Sequence, residues 1–117
     1  MKYQYAGRIF DKLFSIEPSV ALLTGGYNLD RLVWFITGYI SGLAEKDISY
    51  TTFMFEFSEF ALSQMGISKG RAKGWQYHLG SICCGEKEKV ETFYHYIHMF
   101  HDEISTLDTI DHYDGFS

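Results

Sequence analysis

Apolar positions recur along much of the chain every three or four residues, the period of a helix with one buried face. Near the start, Tyr5, Ile9, Leu13 and Ile16 keep this spacing and predict a helix over about residues 3–15. Pro18 disfavours helical backbone at Glu17, and Gly25-Gly26 ends any short turn through "SVALL". A longer helix is predicted over "LDRLVWFITGYISGLAEK", capped by Asn28 or Asp30, with Leu29, Leu32, Val33, Ile36, Ile40 and Leu43 on one face. Trp34 and Phe35 lie off that stripe, and Gly38 and Gly42 stand four apart, which permits close approach of another backbone. The helix is therefore expected to pack on both sides, within the domain or at a protein interface.

"SYTTFMFEFSEFALSQMG" reads two ways. Phe53, Phe55 and Phe57 alternate as in a strand, while Phe53, Phe57, Phe60, Ala61 and Gln64 follow a helix face; length and the following "SEFALSQM" favour helix, with Gly66 as its stop. "SKGRAKGWQYHLGSICC" predicts another helix, with Trp75, Leu79, Ile82 and Cys83 on one side and Gly85 past its end. The last opens at "EKEKVE", where Glu86 and Glu88 meet the positive end of the helix dipole, and runs to about Ser105. Its buried stripe is Val90, Phe93, Ile97, Phe100, Ile104 and Leu107. The expected fold is all-α: a single-domain bundle of about five helices, with its core over about residues 3–107 and an acidic tail at 108–117.

A chain of 117 residues buries enough surface to fold without a disulfide or a structural metal. Aromatic residues make up 18% of it, a high share, so the rings are expected either to fill a core or to leave some at a binding surface. The net charge of -5, and a C-terminal "LDTIDHYDGFS" with three aspartates and no lysine or arginine, disfavour phosphate binding. The nearest basic cluster, Lys69, Arg71 and Lys73 in "SKGRAK", reads as a solvated helix start or turn. Direct nucleic-acid binding is not expected, whereas an acidic surface suits a basic protein partner. The N-terminal stretch lacks the apolar core of a signal peptide and no apolar run is long enough to span a membrane, so no membrane contact and a cytoplasmic location are expected. Cys83 and Cys84, adjacent in sequence, are expected as reduced thiols.

The strongest chemical candidate is "HYIHMFHDE", with His95, His98 and His101 followed by Asp102 and Glu103. Measured from Phe93 at about 100° per residue, His98 and His101 lie about 140° and 80° away, and His95 and Asp102 about 200° and 180°. The imidazoles fan around the helix, and Asp102 stands near His98 at the favourable four-residue spacing. Zinc would need further ligands converging from elsewhere, such as His78 and Cys84, which stand in no recognised metal-binding spacing. Cys83 or Cys84 with His78 lacks an orienting third group, "LTGGYN" and "SKGRAKG" match no phosphate loop, and Glu56 with Glu59 reads as a solvated pair. Neither an enzyme nor a cofactor is expected.

The order of features resembles a known family. In "EPSVALLTGGYNLDRLVWFITGYISGL" a Pro-containing turn and a glycine precede a helix in which Leu29, Leu32, Phe35, Gly38 and Tyr39 fit the form L-x-x-L-x-x-F-x-x-G-Y. Phe57 and Phe60, Gly74-Trp75, an acidic turn and the closing "VETFYHYIHMFHDE" follow, so the resemblance covers roughly residues 8–104. The family's usual Arg-Pro-x-Met-Tyr opening is replaced here by Glu17-Pro18-Ser19-Val20-Ala21. The chain thus resembles small helical immunity proteins of bacterial polymorphic toxin systems, including contact-dependent growth inhibition. The resemblance implies an antitoxin that binds a cognate toxin domain, with a basic toxin such as a nuclease suiting the chain's acidity. The contact surface is expected among Trp34, Glu56, Glu59, His95, Asp102, Glu103, Asp108, Asp111 and Tyr113. Two other readings stand beside it: a metal-binding or thiol-dependent regulator using His78, Cys84, His98 and His101, and a homodimeric scaffold using the Trp34, Phe35 and Gly38 face.

Overall fold

The computed structural model describes residues 6–67 and 74–116, and the side chains of residues 7–48, 50–67 and 74–105. Within these the fold is all-α. Helix α1 (Ala6–Ile16) runs into a single 3-10 turn (Glu17–Ser19) and the one-turn helix α2 (Val20–Leu23). Pro18 falls in the first turn of that 3-10 segment, where a missing N–H costs nothing. The chain then reverses at Gly25 and Gly26, both with positive φ (68° and 100°), a conformation that a side chain would strain. The Gly26 N–H closes on the Ala21 carbonyl at 2.6 Å, and Arg31 Nη1 donates to the Thr24 carbonyl at 3.0 Å, fixing the reversal against the next helix.

That helix, α3 (Leu29–Ala44), is capped by Asn28, whose Oδ1 accepts the Arg31 N–H at 2.9 Å. A 3-10 turn (Ile48–Thr51) leads into α4 (Thr52–Gln64), so the alternating phenylalanines belong to a helix: Phe53 and Phe57 are buried and Phe55 faces outward. Helix α5 (Trp75–Ile82) starts after an extended Gly74; the part of the predicted start at residues 68–73 lies outside the described residues. Helix α6 (Glu86–Phe116) does not stop near Ser105. No proline occurs in that stretch and no glycine before Gly115, so nothing in the backbone chemistry ends it earlier. The predicted acidic tail is helical backbone to Phe116.

Helix α6 is the axis on which the others pack. Val90, Phe93, Ile97, Phe100 and Ile104 are buried as expected, while the side chain of Leu107 lies outside the described residues. Phe57 of α4 meets Phe93 edge-on at 5.4 Å and Trp75 of α5 at 5.2 Å, and Trp75 stacks on Phe93 at 5.3 Å. Phe10 of α1 meets Phe53 of α4 at 5.2 Å and Phe100 at 5.9 Å. Such pairs contribute about 0.5–1.5 kcal/mol each beyond area burial. In α1, Ile9 and Leu13 are buried, Ile16 is half-buried, Phe10 joins them unpredicted, and Tyr5 lies outside the described residues.

Several expected packing positions are corrected. Val33 and Leu43 are only partly buried, and Trp34 is 79% exposed, so the described residues do not pack on both sides of α3. A Cβ added at Gly38 or Gly42 would meet nothing within 4 Å, so neither glycine serves a close backbone approach here. Ile82, the last residue of α5, is 60% exposed, although Leu79 in the same turn is buried.

A buried hydrogen bond ties α6 to α1: the Tyr94 hydroxyl donates to the Leu13 carbonyl at 2.9 Å. Leu13 is among the last four residues of α1, whose carbonyls lack a partner inside the helix, so the phenol takes up an acceptor that the helix end leaves over. Burial, reinforced by the negative charge of Glu17, pushes the Tyr94 hydroxyl well above the ordinary tyrosine range. A phenol held neutral in the fold contributes stability that is fully present below the unfolded value near pH 10 and is lost as pH rises from there. Tyr94→Phe is expected to cost about 1 kcal/mol in urea unfolding at neutral pH. Its stability should also fall less steeply than that of the wild type above about pH 10.

Candidate partner-binding site

At about 100° per residue, Thr52, Glu56, Glu59 and Ser63 fall within roughly 60° of one another on α4, beside the face that carries the buried Phe53, Phe57 and Ala61. This polar strip turns toward Phe100 and Glu103 of α6. Between the two helices runs an open groove of about 600 Å³, lined by Glu56, Glu59 and Glu103 together with Phe55, Phe60 and Phe100, and completed by Thr52, Ser63 and Gln64. Phe60 lies 5.1 Å from Phe100 and forms the groove floor with it, while Phe55 is 64% exposed. Among the described residues that line it there is no lysine or arginine. Three predicted contact residues, two on α4 and one on α6, are thus brought together, and three aromatic rings accompany them.

The rings were not among the expected contact residues. Phe55 carries a signal that the sequence does hold, since it stands about 180° from the centre of the buried Phe53–Phe57 edge and one turn from Glu59. The role of Phe60 and Phe100 as floor depends on which helix lies opposite, which periodicity alone does not give.

The remaining candidates lie elsewhere. His95 faces a smaller groove of about 350 Å³ with Glu17, Tyr27, Val90, Glu91, Tyr94 and His98. His98 places Nε2 2.9 Å from Glu17 Oε1 and stacks on Phe14 at 4.6 Å with an interplanar angle of 6°. His98 thus pairs with a residue of the α1–α2 turn, and Asp102, expected beside it, stands 3.6 Å from His101 Nδ1. His101 meets the rings of Phe10 and Phe14 edge-on at 4.9 and 5.2 Å. Asp102 and Glu103, adjacent in sequence, diverge: only Glu103 lines the α4–α6 groove. The side chains of Asp108, Asp111 and Tyr113 lie outside the described residues, although their backbone is helical.

His78 sits on α5 beside Tyr77, and Cys84 on the turn before α6, its N–H donated to Glu88 Oε1 at 2.8 Å. Cys83 Sγ lies 3.6 Å from Thr92 Oγ1. Both cysteines are free thiols. Among the described residues no group of three His, Cys, Asp or Glu side chains is placed to hold a metal ion, so His78, Cys84, His98 and His101 do not form one centre. Nor, among these residues, is any helix long and apolar enough to cross a membrane.

On α3, Trp34 stands out from the surface, but Phe35 is partly buried and lies 6.0 Å from Lys12 Nζ, which also sits 5.5 Å from the Tyr39 ring. Trp34, Phe35 and Gly38 fall within about 100° of one another on α3, with Lys12 beside the Phe35 edge of that face. An exposed side chain without core contacts adds little to stability, so Trp34→Ala is expected to change the unfolding free energy by no more than about 0.5 kcal/mol. Thermal or urea denaturation checks this; a loss of several kcal/mol would place the indole in the core.

Compared with known proteins, the chain matches no family model, no curated protein and no solved structure.

Proposed function

We propose that this chain is an immunity protein that binds a cognate bacterial toxin domain stoichiometrically and blocks the surface that toxin needs. The observation that carries the reading is the α4–α6 groove, where Glu56, Glu59 and Glu103 surround an exposed aromatic ring. Interfaces gain most of their affinity from a few aromatic anchors, and opposite charge around them steers encounter and excludes wrong partners. With a net charge of -5, the chain as a whole attracts a basic partner, such as a nuclease domain. The proposed action is in the cytoplasm and uses neither catalysis nor a cofactor. Nucleic acid and membrane take no direct part in it.

Co-expression with the toxin domain encoded immediately upstream tests the proposal. The wild-type chain should protect the cells and co-purify with the toxin as a defined complex. A variant carrying Glu56→Gln, Glu59→Gln and Glu103→Gln should associate roughly tenfold more slowly at low salt and lose much of the salt dependence of association, as expected when steering charges are removed. Absence of both protection and complex with the wild-type chain would refute the proposal.

A further inference from the structure

We infer that the outward face of α3 docks on the same face of a second copy of this chain, the two helices running antiparallel and crossing at Gly38. None of the residues involved lines the α4–α6 groove, so dimerisation stands or falls apart from toxin binding.

Arg31, Trp34, Gly38, Ser41, Gly42 and Glu45 are all exposed and fall within about 100° of one another, centred about 180° from the buried stripe of Leu29, Leu32, Ile36 and Ile40. The middle of this face is hollow, since a Cβ added at Gly38 or Gly42 would meet nothing within 4 Å. Its one bulky member is Trp34, 79% exposed. Opposite charges stand at its two ends, Arg31 in the first turn of α3 and Glu45 at its C-cap. Ring, hollow and charges are matched about a single point: Gly38 lies midway between Trp34 and Gly42, and midway between Arg31 and Glu45. An antiparallel copy crossing there sets each indole over Gly42 of the other copy and each guanidinium beside the other's Glu45, a self-complementary two-fold contact. The charges then lie about 10 Å either side of the crossing, and glycine at that point lets the helix axes approach to about 8 Å. A parallel copy would instead set Arg31 against Arg31 and Glu45 against Glu45. Arg31 keeps Nη1 on the Thr24 carbonyl, and its guanidinium has further N–H donors. Among the described residues Glu45 has no ion-pair partner. One helix face makes a contact at the small end of specific interfaces, so the dimer is weak, with a dissociation constant on the order of 10–100 µM.

The test uses the full chain, sedimented at concentrations from about 5 µM to about 500 µM, with ¹⁵N amide shifts followed over the same range. The mass is expected to rise from monomer to dimer, with shifts concentrated in residues 31–45. Trp34→Ala, which removes two anchors per dimer, and Gly38→Gln, which fills the crossing point, should each weaken the dimer at least about tenfold, in variants whose helical dichroism matches the wild type. Glu45→Arg should weaken it about threefold or more at low salt, and less at high salt, where the charges are screened. A monomer throughout, a dimer whose shifts centre on another surface, or a dimer that any of the three substitutions leaves unweakened would overturn the assignment. A monomer whose α3 amides respond only to the toxin domain would overturn it as well, by giving the face to another protein.

Discussion

Phe100 sits where α1, α4 and α6 meet, with the rings of Phe10, Phe53, Phe57 and Phe60 all within 5.9 Å of its own. Helix α6 supplies the side chain, α1 and α4 supply its neighbours, and Phe93 one face along extends the contact to Trp75 of α5. Removing a buried phenylalanine leaves a cavity that costs about 3–5 kcal/mol, a large share of the stability of a domain this size. Phe100 also lines the α4–α6 groove. Core and candidate surface are therefore two sides of one aromatic cluster. The role proposed for the groove is best separated from folding through the rim, at Phe55 and the carboxylates, because floor substitutions would disturb the core as well.

A second constraint acts at the other end of the bundle. Glu86 Oε1 accepts the Leu29 N–H at 3.0 Å, and Oε2 lies 2.8 Å from Lys89 Nζ. The carboxylate stands at the first turn of both α3 and α6, where unpaired N–H groups and two helix dipoles favour a negative charge. The Lys89 hydrogen bond, followed by that of Leu29, holds the Glu86 carboxyl below the ordinary glutamate range. The same side chain thus serves its own helix and aligns a neighbour 57 residues away.

The helices were legible because burying one face imposes a period that the residues must keep. Leu29, Leu32, Ile36 and Ile40 on α3, and Val90, Phe93, Ile97, Phe100 and Ile104 on α6, are buried where their spacing puts them. What periodicity cannot show is the neighbour across the gap. Tyr94 lies beside the predicted stripe, but its burial depends on the Leu13 carbonyl, 81 residues away in the chain. His98 has a nearby acid in sequence and yet pairs with Glu17 on another element. Trp34 is apolar and yet exposed, since no element of the described chain covers that side of α3. Of the candidate site, Glu56 and Glu59 could be grouped by helical angle, whereas their union with Glu103 depends on how α4 crosses α6.

The central functional claim is that the partner meets the chain at the α4–α6 groove. Amide hydrogen exchange compared between the free chain and its complex with the upstream-encoded toxin domain tests this most directly. The expected result is slowed exchange concentrated in residues 52–64 and 98–105, with the α3 segment around Trp34 unchanged. Protection confined to α3, or to the segment around Glu17 and His95, with none in α4, would contradict it.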